Sequence, residues 1–356
     1  MAPSTVLAGD IGGTKTLLSL YSTDADRPRL LLERRYPSAD WADLAPLLRH
    51  FLAEAAGEAP GGVALEPPAA ACLAVAGPVQ AGRAQLTHLP WRLEEGALAA
   101  ATGIGRVELV NDFAVLVYAI PRLAAAWQAP IRPGQADPAA PLLIIGAGTG
   151  LGVAIGLPTA AGLQAVASEG GHGEFAPRDG REWRLKHWLL RDLGLERLSI
   201  ERLVSGTGLG HLARWWLAEQ DGAGDHPLQA VAAAWWRAGP GQERPDLPAA
   251  VAAAAAADDP LARGILDLWL ELYGSVCVDL ALAILSRGGL WLAGGTAAKL
   301  LRELQGERFS AAFLAKGRLR AALEPMPIRA ITDPSIGGFA AACRAAMLAA
   351  DPRMGH

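Results

Sequence analysis

Cysteine is scarce and widely scattered in this chain of 356 residues. The three cysteines, Cys72, Cys277 and Cys343, form no CxxC pair and no other spacing that binds zinc, and an odd number does not suit a disulfide framework. We therefore expect three buried thiols in a reducing cytoplasm. The start of the chain lacks a basic segment followed by an apolar run, which predicts that there is no signal peptide.

Clusters of positive charge and long hydrophobic runs are also missing. The formal net charge is −4, and the basic and acidic residues are mixed along the chain without a Lys/Arg stripe. Binding to a phosphate backbone needs clustered positive charge, so we expect no nucleic-acid partner. Glycine, proline or charge interrupts the apolar stretches before they reach membrane-spanning length, so we expect no membrane partner.

Apolar residues and glycine are abundant instead. Hydrophobic residues make up 51% of the chain and charged residues 19%, a balance that supplies a substantial core and excludes intrinsic disorder. The length suggests about two domains. Strand-like runs alternate with helical spacing, which predicts helices at Trp41–Ala55, at Asp112–Ile120 (stopped by Pro121) and at Pro260–Ser286.

The first motif with chemical content is Gly9-Asp10-Ile11-Gly12-Gly13-Thr14-Lys15, which follows an apolar strand. Its glycines permit a tight turn whose N–H groups approach phosphate closely, and Thr14 can donate its hydroxyl. Asp10, at the strand end, suits a hydrated magnesium ion that bridges phosphate oxygens. The alternative is an ordinary hairpin with a Gly-Gly turn.

A second glycine turn, Gly146–Gly152, reads Gly-Ala-Gly-Thr-Gly-Leu-Gly between two apolar strands. Four glycines in seven residues exceed what a hairpin requires, and Thr149 mirrors Thr14. A strand rather than a long helix follows, which excludes a dinucleotide-binding turn. The repeated strand–turn–strand layout predicts two related α/β lobes whose turns grip nucleotide phosphates.

The sequence Val110-Asn111-Asp112-Phe113 places a carboxylate where a strand meets a helix. Asp112 could cap the helix N-terminus. It is also placed for base catalysis, because phosphoryl transfer needs a hydroxyl aimed in line with the γ-phosphate and an acceptor for its proton.

The run Glu169-Gly170-Gly171-His172 sets a carboxylate and an imidazole on either side of two glycines. With no large side chain between them, a flat polar ligand can approach the backbone. Glu169 can accept hydrogen bonds from two hydroxyls, and His172 can donate or accept, so the pair suits a sugar site. A hydrogen-bonded core histidine is the alternative for His172.

Taken in order, these motifs resemble those of the bacterial glucokinases, which belong to the superfamily of sugar kinases, Hsp70 and actin. The likeness covers essentially the whole chain and adds two further stretches, Glu201–Gly206 and Ala293-Gly294-Gly295. The zinc-binding cysteine cluster of the related repressor/kinase family is absent, which favours the non-repressor glucokinase group.

The resemblance implies an α/β fold of the two-lobed, actin-like or ribonuclease H-like ATPase class, in which each lobe carries a mixed β-sheet flanked by helices and a cleft lies between the lobes. The small N-terminal lobe would comprise residues 1–121 plus 334–356, so that the last helix returns to it. The large C-terminal lobe would comprise residues 122–333.

The resemblance also implies residue roles. Asp112 would be the catalytic base and Asn111 a sugar ligand, while Asp10 would serve the magnesium ion. The remaining sugar hydroxyls would be bound by Glu169, His172 and Glu201. The nucleotide would be bound by Asp10, Gly12, Gly13, Thr14, Lys15, Gly148, Thr149, Gly150, Gly294 and Gly295. For Glu201 the sequence alone favours an exposed carboxylate at a helix start.

The implied reaction converts ATP and glucose to ADP and glucose 6-phosphate, with Mg²⁺, in a cytoplasmic homodimer. His88 stands where the family usually has asparagine between Thr87 and Leu89, which leaves open a kinase for another hexose such as mannose, fructose or an amino sugar. A non-enzymatic sugar-sensing paralogue is the other alternative. Residues 214–248 are longer and richer in tryptophan than in usual members, and we expect these tryptophans in the core or a subunit interface.

Overall fold

The structure is a computed structural model that describes residues 5–57, 66–86, 88–219, 225–239 and 242–351; Thr87 lies outside them. The strands in these ranges are β1 Thr5–Ile11, β2 Lys15–Ser22, β3 Arg29–Pro37, β4 Ala70–Val75, β5 Val79–Gln80, β6 Arg83–Gln85, β7 Arg92–Glu94, β8 Val107–Asn111, β9 Gln128–Arg132, β10 Leu142–Ala147, β11 Leu151–Thr159, β12 Gly162–Ser168, β13 Leu290–Ala293 and β14 Ile328–Ile331. The α-helices are α1 Leu44–Gly57, α2 Glu95–Thr102, α3 Gly180–Leu193, α4 Gly206–Glu219, α5 Pro227–Arg237, α6 Leu247–Ala256, α7 Pro260–Ile284, α8 Gly295–Lys299, α9 Leu301–Leu304, α10 Glu307–Leu314, α11 Arg320–Leu323 and α12 Ile336–Ala350.

The chain divides into two units of dense internal contact. The first comprises residues 1–125, 154–167 and 333–356, and the second comprises residues 126–153 and 168–332. The predicted boundaries between the lobes were 121/122 and 333/334, close to the observed 125/126 and 332/333. The prediction placed residues 154–167 in the large C-terminal lobe, whereas the contacts group them with the first unit. The assignment of these units as the two lobes of a kinase stays a prediction.

The sheet of the first unit has the strand order β3-β2-β1-β4-β8. β1 and β2 form an antiparallel hairpin, whereas β1, β4 and β8 run parallel. β4 is buried along its whole length, as expected of a parallel strand covered on both faces. α12 packs against β1 and β4. The carboxyl ends of β1, β4 and β8 therefore meet at one edge of the sheet, where Asp10 and Asn111 lie.

A second sheet has the order β12-β11-β10-β13-β14-β9. Its central strands β10, β13 and β14 are parallel, and β9 pairs antiparallel with β14 at the edge. If the five strands β10 to β14 are numbered along the chain, their order in the sheet is third, second, first, fourth, fifth. The first sheet has the same order, and the second sheet adds β9 at one edge. This shared topology confirms the internal repeat that the two glycine turns predicted.

The core of the second unit is built around α7, which begins at Pro260 as predicted and ends at Ile284. Asp259 caps it by accepting a hydrogen bond from the Ala262 N–H. Trp269 and Tyr273 of this helix are fully buried. Such a long apolar helix anchors the elements that carry the second glycine turn.

The predicted helix Asp112–Ile120 is wrong in type and bounds. The structure has a 3₁₀ helix at Ala114–Arg122 that includes Pro121. Proline fixes φ at a value that a 3₁₀ turn accepts, and near the last turn it forfeits few hydrogen bonds. Asp112 and Phe113 form the turn that leads into this helix.

The predicted α/β fold with mixed sheets flanked by helices is confirmed. In the part of the chain that the structure describes, none of the helices is both long enough and apolar enough to span a bilayer.

Candidate active site

The first glycine turn joins β1 to β2, and one serine stabilises it with two hydrogen bonds to its carbonyl groups. The Gly12 N–H donates to the Lys15 carbonyl over 3.0 Å, which closes the turn. Ser38 is fully buried; its hydroxyl donates to the Gly12 carbonyl at 2.8 Å, and its N–H donates to the Thr14 carbonyl at 3.1 Å. Thr14 and Lys15 remain exposed at the tip. The backbone of the turn is thus fixed while its tip stays open.

Asp10 lies next to the end of β1, at the carboxyl edge of the sheet. Desolvation by the surrounding protein raises the pKa of this carboxyl, and the nearby Lys15 ammonium opposes that shift. Among the described residues, no cluster of three or more His, Cys, Asp or Glu could enclose a metal ion by itself. A single carboxylate oxygen donor fits a magnesium ion that takes its other ligands from phosphate and water.

Asp112 follows β8 at the same edge, and its N–H donates to the Val75 carbonyl at 2.9 Å. Residue 112 is exposed at the surface of this edge, but the protein around the carboxyl displaces enough water to raise its pKa, and the negative charge of Asp10 raises it further. The Phe113 N–H, the Asp112 N–H and the Asn111 amide oppose this shift. Two neighbouring carboxylates with a raised proton affinity are the pattern expected of a base beside a cation site.

Asn111 orients the turn that carries Asp112. Its side-chain oxygen accepts from the N–H groups of Phe113 at 3.1 Å and Ala114 at 3.0 Å. Its amide nitrogen donates to the Gly77 carbonyl at 3.2 Å and to Asp112 Oδ1 at 3.1 Å. Asn111, rather than Asp112, therefore holds the start of the 3₁₀ helix. Its role as a sugar ligand stays a prediction.

His88 lies beside the first glycine turn. Its Cβ is 3.0 Å from the position that a Cβ on Gly13 would occupy, and its side chain is exposed. The segment is anchored by Trp91, which is buried and donates its indole N–H to the Trp41 carbonyl at 3.2 Å. The residue that departs from the family pattern thus contacts a predicted phosphate-binding turn.

The second glycine turn is tied to the start of α4. The Gly148 N–H donates to the Gly150 carbonyl at 2.9 Å, and the Gly148 carbonyl accepts from the Gly206 N–H at 2.7 Å. The Thr207 hydroxyl donates to the Thr149 carbonyl at 3.1 Å. Thr149 itself is exposed at the tip, in the position that Thr14 has in the first turn.

Glu201 holds the end of this turn, where β11 begins, through a hydrogen bond to its carboxylate. Its Oε2 accepts from the Leu151 N–H at 3.0 Å, and a Cβ at Gly150 would lie only 2.5 Å from the same oxygen. A side chain at 150 would therefore displace the Glu201 carboxylate from this position. Glu201 is half-buried, so the exposed helix-start carboxylate that the sequence favoured is wrong. Its predicted sugar contact is untested by this geometry.

Glu169 and His172 lie together on one face of a short 3₁₀ turn, with 3.6 Å between Oε2 and Nε2. Both side chains are exposed, at 79% and 55%. Between them Gly171 is buried, and a Cβ there would lie 2.1 Å from the Leu151 carbonyl oxygen. Leu151 thus contacts both this turn and Glu201, which brings the three predicted sugar ligands of this unit around the start of β11.

Gly294 and Gly295 follow β13, which pairs with β10. Gly294 has a φ of +84°, and a Cβ there would lie 2.9 Å from the Ala147 carbonyl oxygen, so only glycine fits. The Thr296 hydroxyl donates to the same carbonyl. The third glycine segment is thus joined to the second at the carboxyl edge of the sheet.

A cavity of about 590 Å³ opens at this edge, a volume typical of small-molecule sites. Its lining includes Gly148, Thr149, Thr207, Gly295, Thr296 and Lys299. Gly150 and Gly294, which were also predicted to bind nucleotide, shape the backbone behind it. The arrangement offers hydroxyls, backbone groups and an ammonium to a polyanion.

Sequence reasoning missed Ser38, Thr207 and Lys299. A single serine or lysine outside a motif carries no signal of its own. Thr207 directly follows the stretch Glu201–Gly206 that the resemblance singled out, so extending that stretch by one residue would have found it.

Comparison with known proteins gives concordant results. The glucokinase family model matches residues 7–348. A glucokinase of Nostoc punctiforme is 38% identical in an alignment of 347 positions that covers 96% of this chain and 99% of that protein. The crystal structure of a glucokinase from an Antarctic psychrotroph superimposes with a TM-score of 0.78 at 28% identity, over 96% of this chain and 98% of that one. A ROK family glucokinase from Streptomyces griseus, in complex with glucose and AMPPNP, shares the fold with a TM-score of 0.58 at 20% identity, over 96% and 99% of the two chains.

Proposed function

The chain belongs to the glucokinase family, and on that premise we propose that it transfers the γ-phosphoryl group of ATP to the 6-hydroxyl of glucose. The observation that carries the proposal is the Asp112 carboxyl. It stands at a strand end, is oriented by Asn111 at 3.1 Å, and has a raised pKa beside Asp10.

Asp112 acts as the base in a direct in-line transfer. The sugar oxygen forms a new bond to the γ-phosphorus while its proton passes to the Asp112 carboxylate. The bond between the γ-phosphorus and the bridging oxygen breaks, and ADP leaves with that electron pair. A pKa raised from the ordinary aspartate value makes the carboxylate a better proton acceptor near neutral pH.

The nucleotide is bound by the two glycine turns and by Gly294–Gly295. In support, both turns have closed backbones with exposed threonines, and the second turn opens into the cavity that also contains Lys299. Asp10 holds Mg²⁺, which supplies charge neutralisation at the phosphates. Lys15 remains exposed beside Asp10 and adds positive charge for the phosphates.

The sugar is bound by Asn111, Glu169, His172 and Glu201. The support for the last three is their common position around the start of β11. Carboxylates and an imidazole can bond several hydroxyls at once, and leaving one of them unpaired is what rejects a wrong sugar. The relatives favour glucose over another hexose, and they favour an enzyme over a sugar-sensing paralogue.

We further propose that the two units are the two lobes of the kinase, that the enzyme is a homodimer and that it acts in the cytoplasm. Tryptophan is enriched at protein–protein interfaces, and the exposed Trp183 and Trp236 give the second unit two such side chains in support of the homodimer. The three cysteines are free and buried, which is typical of a reducing compartment. Light scattering gives the subunit number directly.

A coupled assay of ADP release over a panel of hexoses tests the function. We expect glucose to be among the best substrates by kcat/KM, and activity to need Mg²⁺. A different hexose with a clearly higher kcat/KM would show that the glucose assignment is wrong, with His88 as the first residue to exchange for asparagine. Tight glucose binding without ADP release would show a sensor instead.

A further inference from the structure

Trp235 and Arg244 form a stacked pair in the tryptophan-rich segment. The guanidinium carbon of Arg244 lies 4.2 Å from the centre of the Trp235 ring, and Arg244 Nε donates to the Trp235 carbonyl at 2.8 Å. Two independent contacts therefore hold the guanidinium over the indole ring. This geometry is the cation–π arrangement in which arginine is more effective than lysine.

The indole beneath is itself immobilised. Trp235 is only 5% exposed. Its ring edge packs on α4, where a Cβ at Gly210 would lie 2.9 Å from Trp235 Cζ2, and the His211 ring meets it edge-on with centroids 5.7 Å apart. Arg244 is exposed. The guanidinium thus lies over a fixed indole ring and remains accessible to solvent.

Both residues line the cavity that contains Gly148, Thr149 and Gly295. The expectation that the tryptophans are only core or interface is therefore incomplete, because Trp235 supports a wall of the nucleotide cavity. The other charged side chains in that wall are Asp246, which caps α6 through the Ala249 N–H at 3.0 Å, and Lys299. A flat cation at one wall and hydroxyls at the glycine turns would suit the two ends of a nucleotide.

We propose that Arg244, held on Trp235, is the platform on which the nucleotide's purine base stacks. The proposal rests on the proposed function, in that the phosphates occupy the glycine turns. A base stacks on a guanidinium plane as it does on an aromatic ring, and the larger purine covers more of that plane than a pyrimidine does. The pair therefore makes the site favour ATP over pyrimidine nucleoside triphosphates.

Arg244→Ala and Arg244→Lys test the platform by calorimetric titration without sugar. Loss of one base stack weakens binding roughly 5- to 150-fold, and we expect such losses for both ATP and adenosine with Arg244→Ala. Arg244→Lys keeps the charge but not the plane, so most of the loss should persist. Tripolyphosphate, which has phosphates and no base, should compete with ATP for wild type and for both variants with the same affinity. The preference for ATP over CTP should shrink in both variants.

Arg237→Ala is the matched control. Arg237 is an exposed arginine of α5 whose Nε donates to the Ala233 carbonyl, and it lines a different surface depression. It should leave nucleotide binding, the sugar KM and the melting temperature unchanged. Retention of wild-type melting temperature by Arg244→Lys separates lost stacking from lost folding.

The outcomes separate the platform from the kinase proposal. Wild-type adenosine affinity in Arg244→Ala overturns the platform, as does a loss confined to ATP and tripolyphosphate, which would mean a phosphate contact. If wild type binds nucleotide through Arg244 but transfers no phosphoryl group, the platform stands and the kinase proposal falls. If wild type binds no nucleotide, both fall.

Discussion

Replacing Asp112 with asparagine removes a proton acceptor and changes little else in the structure. The Asn111 amide lies 3.1 Å from Asp112 Oδ1, and an asparagine of the same shape can still accept this hydrogen bond through its side-chain oxygen. The backbone N–H of residue 112 can still donate to the Val75 carbonyl. The Phe113 N–H that interacts with the carboxylate keeps an oxygen partner. The variant therefore isolates the charge and the basicity of position 112.

A positioned general base contributes about 10²- to 10⁴-fold to a reaction rate. At about 1.4 kcal/mol per factor of ten, loss of the base raises the barrier by roughly 3–5 kcal/mol. Because the proton moves in the transition state, we expect Asp112→Asn to lower kcat by at least ~10²-fold and to change KM much less. ADP-release kinetics with glucose and ATP varied in turn measure both constants.

The same substitution should stabilise the fold. Desolvation and the Asp10 charge raise the pKa of Asp112 above its ordinary value of 3.8, so the folded state binds more protons than the unfolded state between the two pKa values. Stability therefore falls as the pH rises through that window, and the penalty is fully present once the pH is above the raised pKa. Asp112→Asn removes it, so its melting temperature at pH 7 should exceed that of wild type.

Asp24→Asn is the control, because Asp24 is a surface residue whose ion pair with Arg29 is long, at 4.0 Å, and exposed. It should alter neither kcat nor the melting temperature. Turnover of Asp112→Asn within about threefold of wild type would remove position 112 from proton transfer. A large loss of kcat together with a lower melting temperature would instead assign Asp112 a structural role.

Three further substitutions test other parts of the site and fold. In wild type, activity needs ionised Asp112 and so declines as the pH falls through its raised pKa. Asp10→Asn removes a like charge and should lower the pKa of Asp112 in the metal-free protein, followed by NMR titration of the carboxyl group; an unchanged pKa contradicts the coupling. His172→Ala should raise the sugar KM and leave the ATP KM nearly unchanged, since His172 lies with the predicted sugar ligands; equal effects on both would mean a structural histidine. Glu182 is fully buried and accepts from the Arg178 N–H at 2.8 Å and Nε at 2.9 Å, so Glu182→Ala should cost about 3–5 kcal/mol in denaturant unfolding, and a cost under about 1 kcal/mol would refute a buried pair.

The sequence could predict the glycine turns because their signal is local. Strand, glycine cluster and strand are contiguous, and the restricted geometry of the turn leaves few residue types possible. The same holds for α7, which apolar spacing predicts from Pro260 onward, and Asp259 caps that start in the structure. The prediction of a helix at Asp112–Ile120 was wrong because the sequence pattern does not reveal that the Phe113 and Ala114 N–H groups donate to the Asn111 side chain.

The residues that hold the site in place could not be predicted, because their partners are distant in the chain. Ser38 bonds Gly12 across 26 positions, and Glu201 bonds Leu151 across 50. A lone serine or glutamate has many possible partners, and only the fold selects one. The Arg244 contact with Trp235 is closer in sequence, yet it depends on α5 ending where the chain can turn back.

These distant contacts support the proposal that the glycine turns bind phosphate. In a planar trans peptide the carbonyl and the following N–H point in opposite directions. The Gly12 carbonyl is bonded to a buried serine, so the N–H of Gly13 points away from the core. The Gly148 and Thr149 carbonyls are bonded to the start of α4, so the N–H groups of Thr149 and Gly150 also point outward. In the proposed nucleotide site, these carbonyl hydrogen bonds therefore aim the N–H groups at a phosphate, and the glycines are needed because side chains would block that approach.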